Sequence, residues 1–165
     1  MERLDRSFFL RPTVQVAQEL LGKRLVYKNI SGIITETEAY HQHDDPACHA
    51  YRGKTLRNAS MFGPAGYSYV YFIYGMYHCL NIVTEQEGIG AAVLIRGMEL
   101  ETHILNGPGR LCRHLNITRE QNACDLVTGQ DFYLTDEGNT PAYLSTPRIG
   151  ISKGTDKLWR FISQS

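Results

Sequence analysis

The stretch that most constrains this chain is an aromatic ladder, Tyr67-Ser68-Tyr69-Val70-Tyr71-Phe72-Ile73-Tyr74, followed by Gly75-Met76 and a second apolar run from Tyr77 to Thr84. Its period is two, that of a strand. Gly75 supplies the turn that reverses it, so the segment reads as a β-hairpin with Tyr74 at or beside its tip. Two registers are open. A two-residue turn pairs Tyr71 with Leu80 and puts Asn81 on the opposite face, whereas a three-residue turn pairs Tyr71 with Asn81. Seven of the ten tyrosines lie between Tyr40 and Tyr77. A core gains little from so many phenols, because each buried hydroxyl needs a partner. Flat rings with one polar end suit the wall of a binding surface. An aromatic at a hairpin tip either folds back over its own hairpin or is covered by something else.

The rest of the chain supplies a frame for that hairpin. Pro12 and Thr13 suit helix-starting positions, and Val14, Ala17, Leu20 and Leu21 recur at helical spacing before Gly22. Arg24–Lys28 reads as a short strand, Asn29–Gly32 as a turn, and Ile33–Tyr40 as the returning strand. Alternation places Glu36, Glu38 and Tyr40 on one face of it, with Ile33, Thr35, Thr37 and Ala39 on the other. Two carboxylates on one strand face belong either to solvent or to the wall of a pocket. From His41 to Pro64 the chain is a long loop rich in Gly, Pro, Asp and Arg, a length that marks function or disorder. Further strands are expected at Ala91–Met98, Asp131–Thr135, Arg148–Ile151 and Leu158–Ser163, and a short helix from Asn106-Gly107-Pro108-Gly109 to Leu115. Strands outnumber helices. The expected fold is therefore α+β, one compact domain over residues 1–165 with a curved, mostly antiparallel sheet, helices at its edges and the hairpin protruding.

Composition narrows the classes. The 165 residues are 42% hydrophobic and 21% charged, as in ordinary globular proteins. No apolar run has transmembrane or signal-peptide character, so no membrane partner and a cytoplasmic location are expected. Cys48, Cys79, Cys112 and Cys124 show no paired spacing and read as free thiols. His41, His43, Asp44, Asp45 and His49 match no metal-ligand spacing, so neither a metal nor a cofactor is expected. Net charge is zero, yet Arg52, Lys54 and Arg57 stand in an acid-free stretch, as do Arg110 and Arg113. Arg52, Lys54, Arg57, Arg110 and Lys153 make a set of candidate phosphate contacts, provided that the basic segments share a face. Gly107 and Gly109, at a helix start, add backbone N–H groups suited to a phosphate.

Several of these pieces together resemble one family. Glu36-Thr37-Glu38-Ala39-Tyr40, Asp45-Pro46-Ala47-Cys48-His49-Ala50-Tyr51-Arg52-Gly53, Met61-Phe62-Gly63-Pro64, Tyr69–Met76 and Asn81 look like the alkyladenine (3-methyladenine, N-methylpurine) DNA glycosylases. The likeness runs from Arg11-Pro12-Thr13 to Trp159-Arg160-Phe161. It implies a fold unlike the helix-hairpin-helix glycosylases, with a hairpin that enters the DNA minor groove. It implies a monomeric base-excision-repair enzyme acting on double-stranded DNA with alkylated or deaminated purines. 3-Methyladenine and 7-methylguanine are the expected lesions, and hypoxanthine and ethenoadenine are left open. In the roles it implies, Tyr74 takes the place of the flipped nucleotide. Tyr40, His49 and Tyr71 hold the base, and Asn81 meets its edge. Glu38 activates water, which Arg96 and the Ile149 carbonyl help to hold, and an abasic site remains. The segment Leu100–Leu105 is shorter than usual in the family, and Cys48 stands where many relatives have a small hydroxyl residue. Whether aromatic burial or Arg96 governs the acidity of Glu38 is left open by the sequence. Two other classes use the same residues differently: a non-catalytic binder of damaged DNA, and a metal hydrolase built on His41–His49.

Overall fold

The computed structural model describes residues 2–164. Its strands are β1 (Glu2–Arg3), β2 (Arg24–Tyr27), β3 (Ile30–His41), β4 (Ser68–Ile73), β5 (Tyr77–Val83), β6 (Ala91–Glu99), β7 (Ile104–Asn106), β8 (Phe132–Asp136), β9 (Ala142–Thr146) and β10 (Arg160–Gln164). Its α-helices are α1 (Arg6–Phe9), α2 (Thr13–Leu20) and α3 (Pro108–Leu115). The strands form one curled sheet in the order β1-β8-β2-β3-β6-β5-β4, with β10 joining β3 to β9 and β7 extending β6. Every pairing is antiparallel. The fold is α+β, as the sequence predicts.

The twelve-residue strand β3 is the spine. Along one edge it pairs with β6, and along the other with β2 first and then β10. Register shifts around Glu36 bend it there. Such irregularities re-aim side chains without ending a strand. On its inner side Thr37 donates to the Ala17 carbonyl at 2.8 Å, which pins α2 across the sheet. Val16, Ala17 and Leu20 of α2 meet Ile34, Ala39, Ile95 and Met98 in the main core. The first turn of α2 receives the Glu85 carboxylate, which accepts from the Thr13 N–H at 2.9 Å. A negative charge at that helix end satisfies an orphan donor and opposes the helix dipole. A second, smaller core of Cys48, Ala50, Met61, Phe62, Tyr69, Val83 and Ala92 packs beneath Tyr40 and Tyr71.

Several expectations need correction. The first turn is Lys28-Asn29, with Lys28 left-handed at φ 56°, so β3 begins at Ile30 rather than Ile33. Arg148–Ile151 is not a strand. Arg148 is instead held at its guanidinium by side-chain pairing, which leaves its backbone outside the sheet. The strand there is β9, exposed along nearly its whole length, which gives no buried face whose period could be read. The short segment Leu100–Leu105 forms a tight return, with Leu100 N–H on the His103 carbonyl and β7 paired to β6. In the hairpin neither proposed register occurs. The turn is Tyr74-Gly75-Met76, so Tyr71 lies opposite Cys79 and Asn81 opposite Tyr69. The parity is nevertheless that of an odd turn, so Tyr69, Tyr71, Cys79 and Asn81 share one face.

Candidate active site

That hairpin face forms one wall of a cavity of about 390 Å³. Tyr40 from β3, Leu94 and Arg96 from β6, and Pro108 at the start of α3 complete much of its lining. Two loops close it, one bringing Ala47 and His49, the other Ile149, Gly150 and Ile151. The sequence-derived residues Tyr40, His49, Tyr71, Asn81, Arg96, Ile149 and Tyr74 therefore meet around one space. Tyr69, Tyr77 and Cys79 join them and were not singled out, although the same alternation carries them.

Glu38 lies behind this wall, with none of its surface exposed. Tyr40 Oη donates to its Oε1 at 2.7 Å, and the Ile149 N–H donates to Oε2 at 2.7 Å. The Ile149 backbone thus meets the carboxylate through its amide. Arg96 Nε stands 3.8 Å from the same Oε2. Burial pushes the Glu38 pKa above the usual carboxylate range, against the opposing pull of Arg96, the Ile149 amide, Tyr40 and Arg148. The balance that sequence left open falls to desolvation. Burial, together with the adjacent Glu38 charge, drives the Tyr40 phenol far up, so it stays a proton donor.

Glu36 is the neutralised member of the pair of carboxylates. It accepts from Arg160 Nε at 2.6 Å and from Arg96 Nε at 3.1 Å. Arg96 is therefore no strand-end surface charge, and its nearer partner is Glu36. Arg160 was not among the expected residues, because β10 comes beside β3 only through tertiary pairing.

The aromatic wall is stacked. The His49 and Tyr71 rings have centroids 4.0 Å apart and planes 31° apart, and His49 Nδ1 lies 3.3 Å from Tyr69 Oη. His49 is exposed as a residue, while its ring packs against those of Tyr71 and Tyr69. That desolvation, with Arg57 nearby, lowers its pKa and favours a neutral ring at pH 7. The Arg57 guanidinium covers Tyr71 at 4.5 Å and donates to the Phe72 carbonyl at 2.8 Å. Asn81 is buried, and its amide donates to the Tyr69 and Cys79 carbonyls at 3.1 and 3.4 Å.

At the hairpin tip Tyr74 is 71% exposed and Met76 73% exposed. Tyr74 has a left-handed backbone at φ 55°, beside Gly75 at φ 62°. A non-glycine residue there costs about 1–2 kcal/mol, so the tip holds a large ring outward against local preference. The candidate phosphate contacts Arg52, Lys54, Arg57, Arg110 and Lys153 are all exposed. Gly107 has open space around its Cα, whereas Gly109 lies against the Tyr77 ring, where an added Cβ would come within 2.8 Å. Close packing between α3 and the hairpin accounts for the second glycine.

One buried pair had no signal in the sequence. Asp45 and Arg148, 103 residues apart, form two 2.7 Å bonds with both side chains fully buried. Asp45 also accepts from the amides of His41 and Ala47. Among the described residues no group of three or more His, Cys, Asp or Glu could hold a metal ion. His41 pairs instead with Glu85 at 3.1 Å. No helix among the described residues is long and apolar enough to cross a membrane. Cys48 is buried, its thiol pushed up to about 12 by desolvation.

Comparison with known proteins places the chain in a family. The family described as Methylpurine-DNA glycosylase (MPG) matches residues 7–165. A protein of Wolbachia pipientis subsp. Culex pipiens is 60% identical over 97% of this chain and 89% of its own length. One from Sodalis glossinidius is 58% identical over 97% and 96%, and one from Rickettsia felis 56% identical over 96% and 92%. All three bear the name "Putative 3-methyladenine DNA glycosylase". The chain belongs to the methylpurine-DNA glycosylase family. It is a monofunctional DNA glycosylase, a hydrolase of N-glycosyl bonds.

Proposed function

We propose that this enzyme removes 3-methyladenine and 7-methylguanine from duplex DNA by flipping the nucleotide into the cavity and hydrolysing its glycosidic bond with a water activated by Glu38. The observation that carries the reading is a fully buried carboxylate of raised pKa, bonded to two members of an aromatic-walled cavity. Alkylation at N3 or N7 makes the purine a cation and a good leaving group. Facing π-systems attract such a cation by about 0.5–2 kcal/mol, and the neutral His49 adds no repelling charge. The protein then has to orient water and stabilise positive charge growing on the sugar, and an ionised carboxylate does both. Arg96 and Ile149 hold Glu38 in place for that task. The cavity volume lies within the range of about 300–1,000 Å³ usual for small-ligand sites.

Extraction of the base from the stack costs about a few kcal/mol. Tyr74, projected from the hairpin tip, offsets part of this by filling the vacated space. Arg52, Lys54, Arg110 and Lys153, with the backbone at Gly107, are the proposed phosphate contacts. Arg57 steadies Tyr71 and reaches the same strand. The enzyme acts as a monomer, without metal or cofactor, and leaves an abasic site. Hypoxanthine and ethenoadenine fit the same walls but, lacking a charge, depart more slowly.

The test uses duplexes with one defined lesion each, in the presence of a chelator. Free 3-methyladenine and 7-methylguanine should be released, with the strand cut only after alkali. Binding without release would make the protein a damage sensor, and loss of activity in chelator would restore the metal reading.

A further inference from the structure

The buried Asp45–Arg148 pair is among the weaker influences on Glu38, and it touches the pocket at one defined place. The Arg148 guanidinium carbon lies 4.6 Å from the centroid of the Tyr40 ring and 5.2 Å from that of Trp159. Two of its nitrogens are used by Asp45, the Ala39 carbonyl at 2.9 Å and the Gly154 carbonyl at 3.3 Å, and Nε has no acceptor. A cation therefore already rests against the ring that a cationic base would use. Left uncompensated, it would repel the incoming base and draw on the same π-density. Burial sharpens that conflict, because like charges in a low-dielectric setting interact strongly. The other charges acting on Tyr40 are Glu38 and Arg96, and Arg96 is itself matched by Glu36.

We propose that Asp45 sets the pocket's preference for positively charged bases by cancelling the guanidinium that lies over Tyr40. This rests on the reading that the pocket takes a flipped base against that ring. Asp45 is a specificity-determining residue that acts through Arg148 and touches no substrate. The same bidentate pair joins the loop carrying His49 to the loop carrying Ile149, so charge and position must be separated by the test.

The experiment measures binding of two uncleavable duplexes to the intact protein. One carries 3-methyladenine on a 2′-fluoro sugar, which is cationic. The other carries 3-deaza-3-methyladenine, its neutral isostere. The ratio of the two affinities does not depend on turnover or on the fraction of active protein. Wild type should prefer the cation. Asp45→Asn should lower that ratio about tenfold, the scale of a desolvated cation–π contact. Arg148→Met should raise it, because the carboxylate then stands unopposed, still bonded to the His41 and Ala47 amides. The double variant should return towards wild type. A purely structural pair would move both single variants the same way, and that result, or an unchanged ratio in Asp45→Asn, overturns the proposal. If Asp45→Asn fails to fold, Arg148→Met should still show a higher ratio than the double variant, and equality overturns it. A wild type without preference for the cation would remove the underlying pocket reading instead, and the inference with it.

Discussion

Replacing Tyr40 by Phe keeps the ring and removes one hydroxyl, the one that donates to Glu38 Oε1 at 2.7 Å. The bond is charge-assisted and buried, and bonds of that type contribute about 1.5–3 kcal/mol. Its loss therefore raises the Glu38 pKa further, because the bond favours the charged form. Arg96 and the Ile149 amide remain, so the carboxylate still ionises. The working form is the carboxylate, and activity falls as pH drops through its pKa. Burial already raises that pKa in the native protein, so the acid limb of the rate lies above the ordinary carboxylate range. In Tyr40→Phe the limb should move to still higher pH, so that the rate on its acid side falls about 10- to 100-fold against wild type. Single-turnover release from one 7-methylguanine duplex, measured across pH in both proteins, is the assay, since any substrate ionisation is common to the two. An acid limb that stays in place, or a rate loss equal at every pH, would refute the argument that this hydroxyl acts through Glu38.

The stability of the protein should respond to the same carboxylate. A folded pKa above the unfolded one gives stability that is full below the unfolded pKa and lost as pH rises through the folded one; Glu38→Gln should therefore raise Tm at neutral pH and leave it nearly unchanged in acid, which thermal melts at the two pH values would check. Tyr74→Ala should reduce the flipped fraction of a fluorescent reporter base in duplex DNA, with a smaller effect on an unpaired lesion. Asn81→Ser should open the pocket edge beside Tyr69 and raise excision of 7-methylguanine relative to 3-methyladenine, a ratio read from duplexes carrying each lesion. Affinity for undamaged DNA should fall steeply with salt despite the zero net charge; a flat titration would mean that the basic residues do not share a face.

What the sequence made legible was local. The alternation from Tyr67 to Tyr77 is a property of neighbouring residues, and it gave the hairpin; the odd parity, one of two that the alternation allowed, comes from the observed turn. The pattern missed the pairing of Tyr71 with Cys79 by two residues, because a turn of three residues can close at Tyr74 as well as at Gly75. Glu36 and Glu38 were equivalent on paper. They become different only when β10 brings Arg160 beside β3 and leaves Glu38 to the Tyr40 hydroxyl and the Ile149 amide. Asp45 and Arg148 were unreadable for the same reason, since a buried ion pair across 103 residues leaves no spacing. The strand expected at Arg148–Ile151 failed because an apolar pattern of four residues suits an extended loop as well as a strand.

The central claim is that Glu38, and not its neighbour, activates the attacking water. Glu38→Gln and Glu36→Gln should be compared with wild type by single-turnover release of 7-methylguanine from a duplex, with lesion affinity measured alongside. Glu38→Gln should bind the lesion and lose about 100-fold or more in rate, the scale of a removed general base. Glu36→Gln should keep most of the rate, since its charge serves Arg160 and Arg96. Equal losses in the two variants, or a greater loss at Glu36, would contradict the assignment.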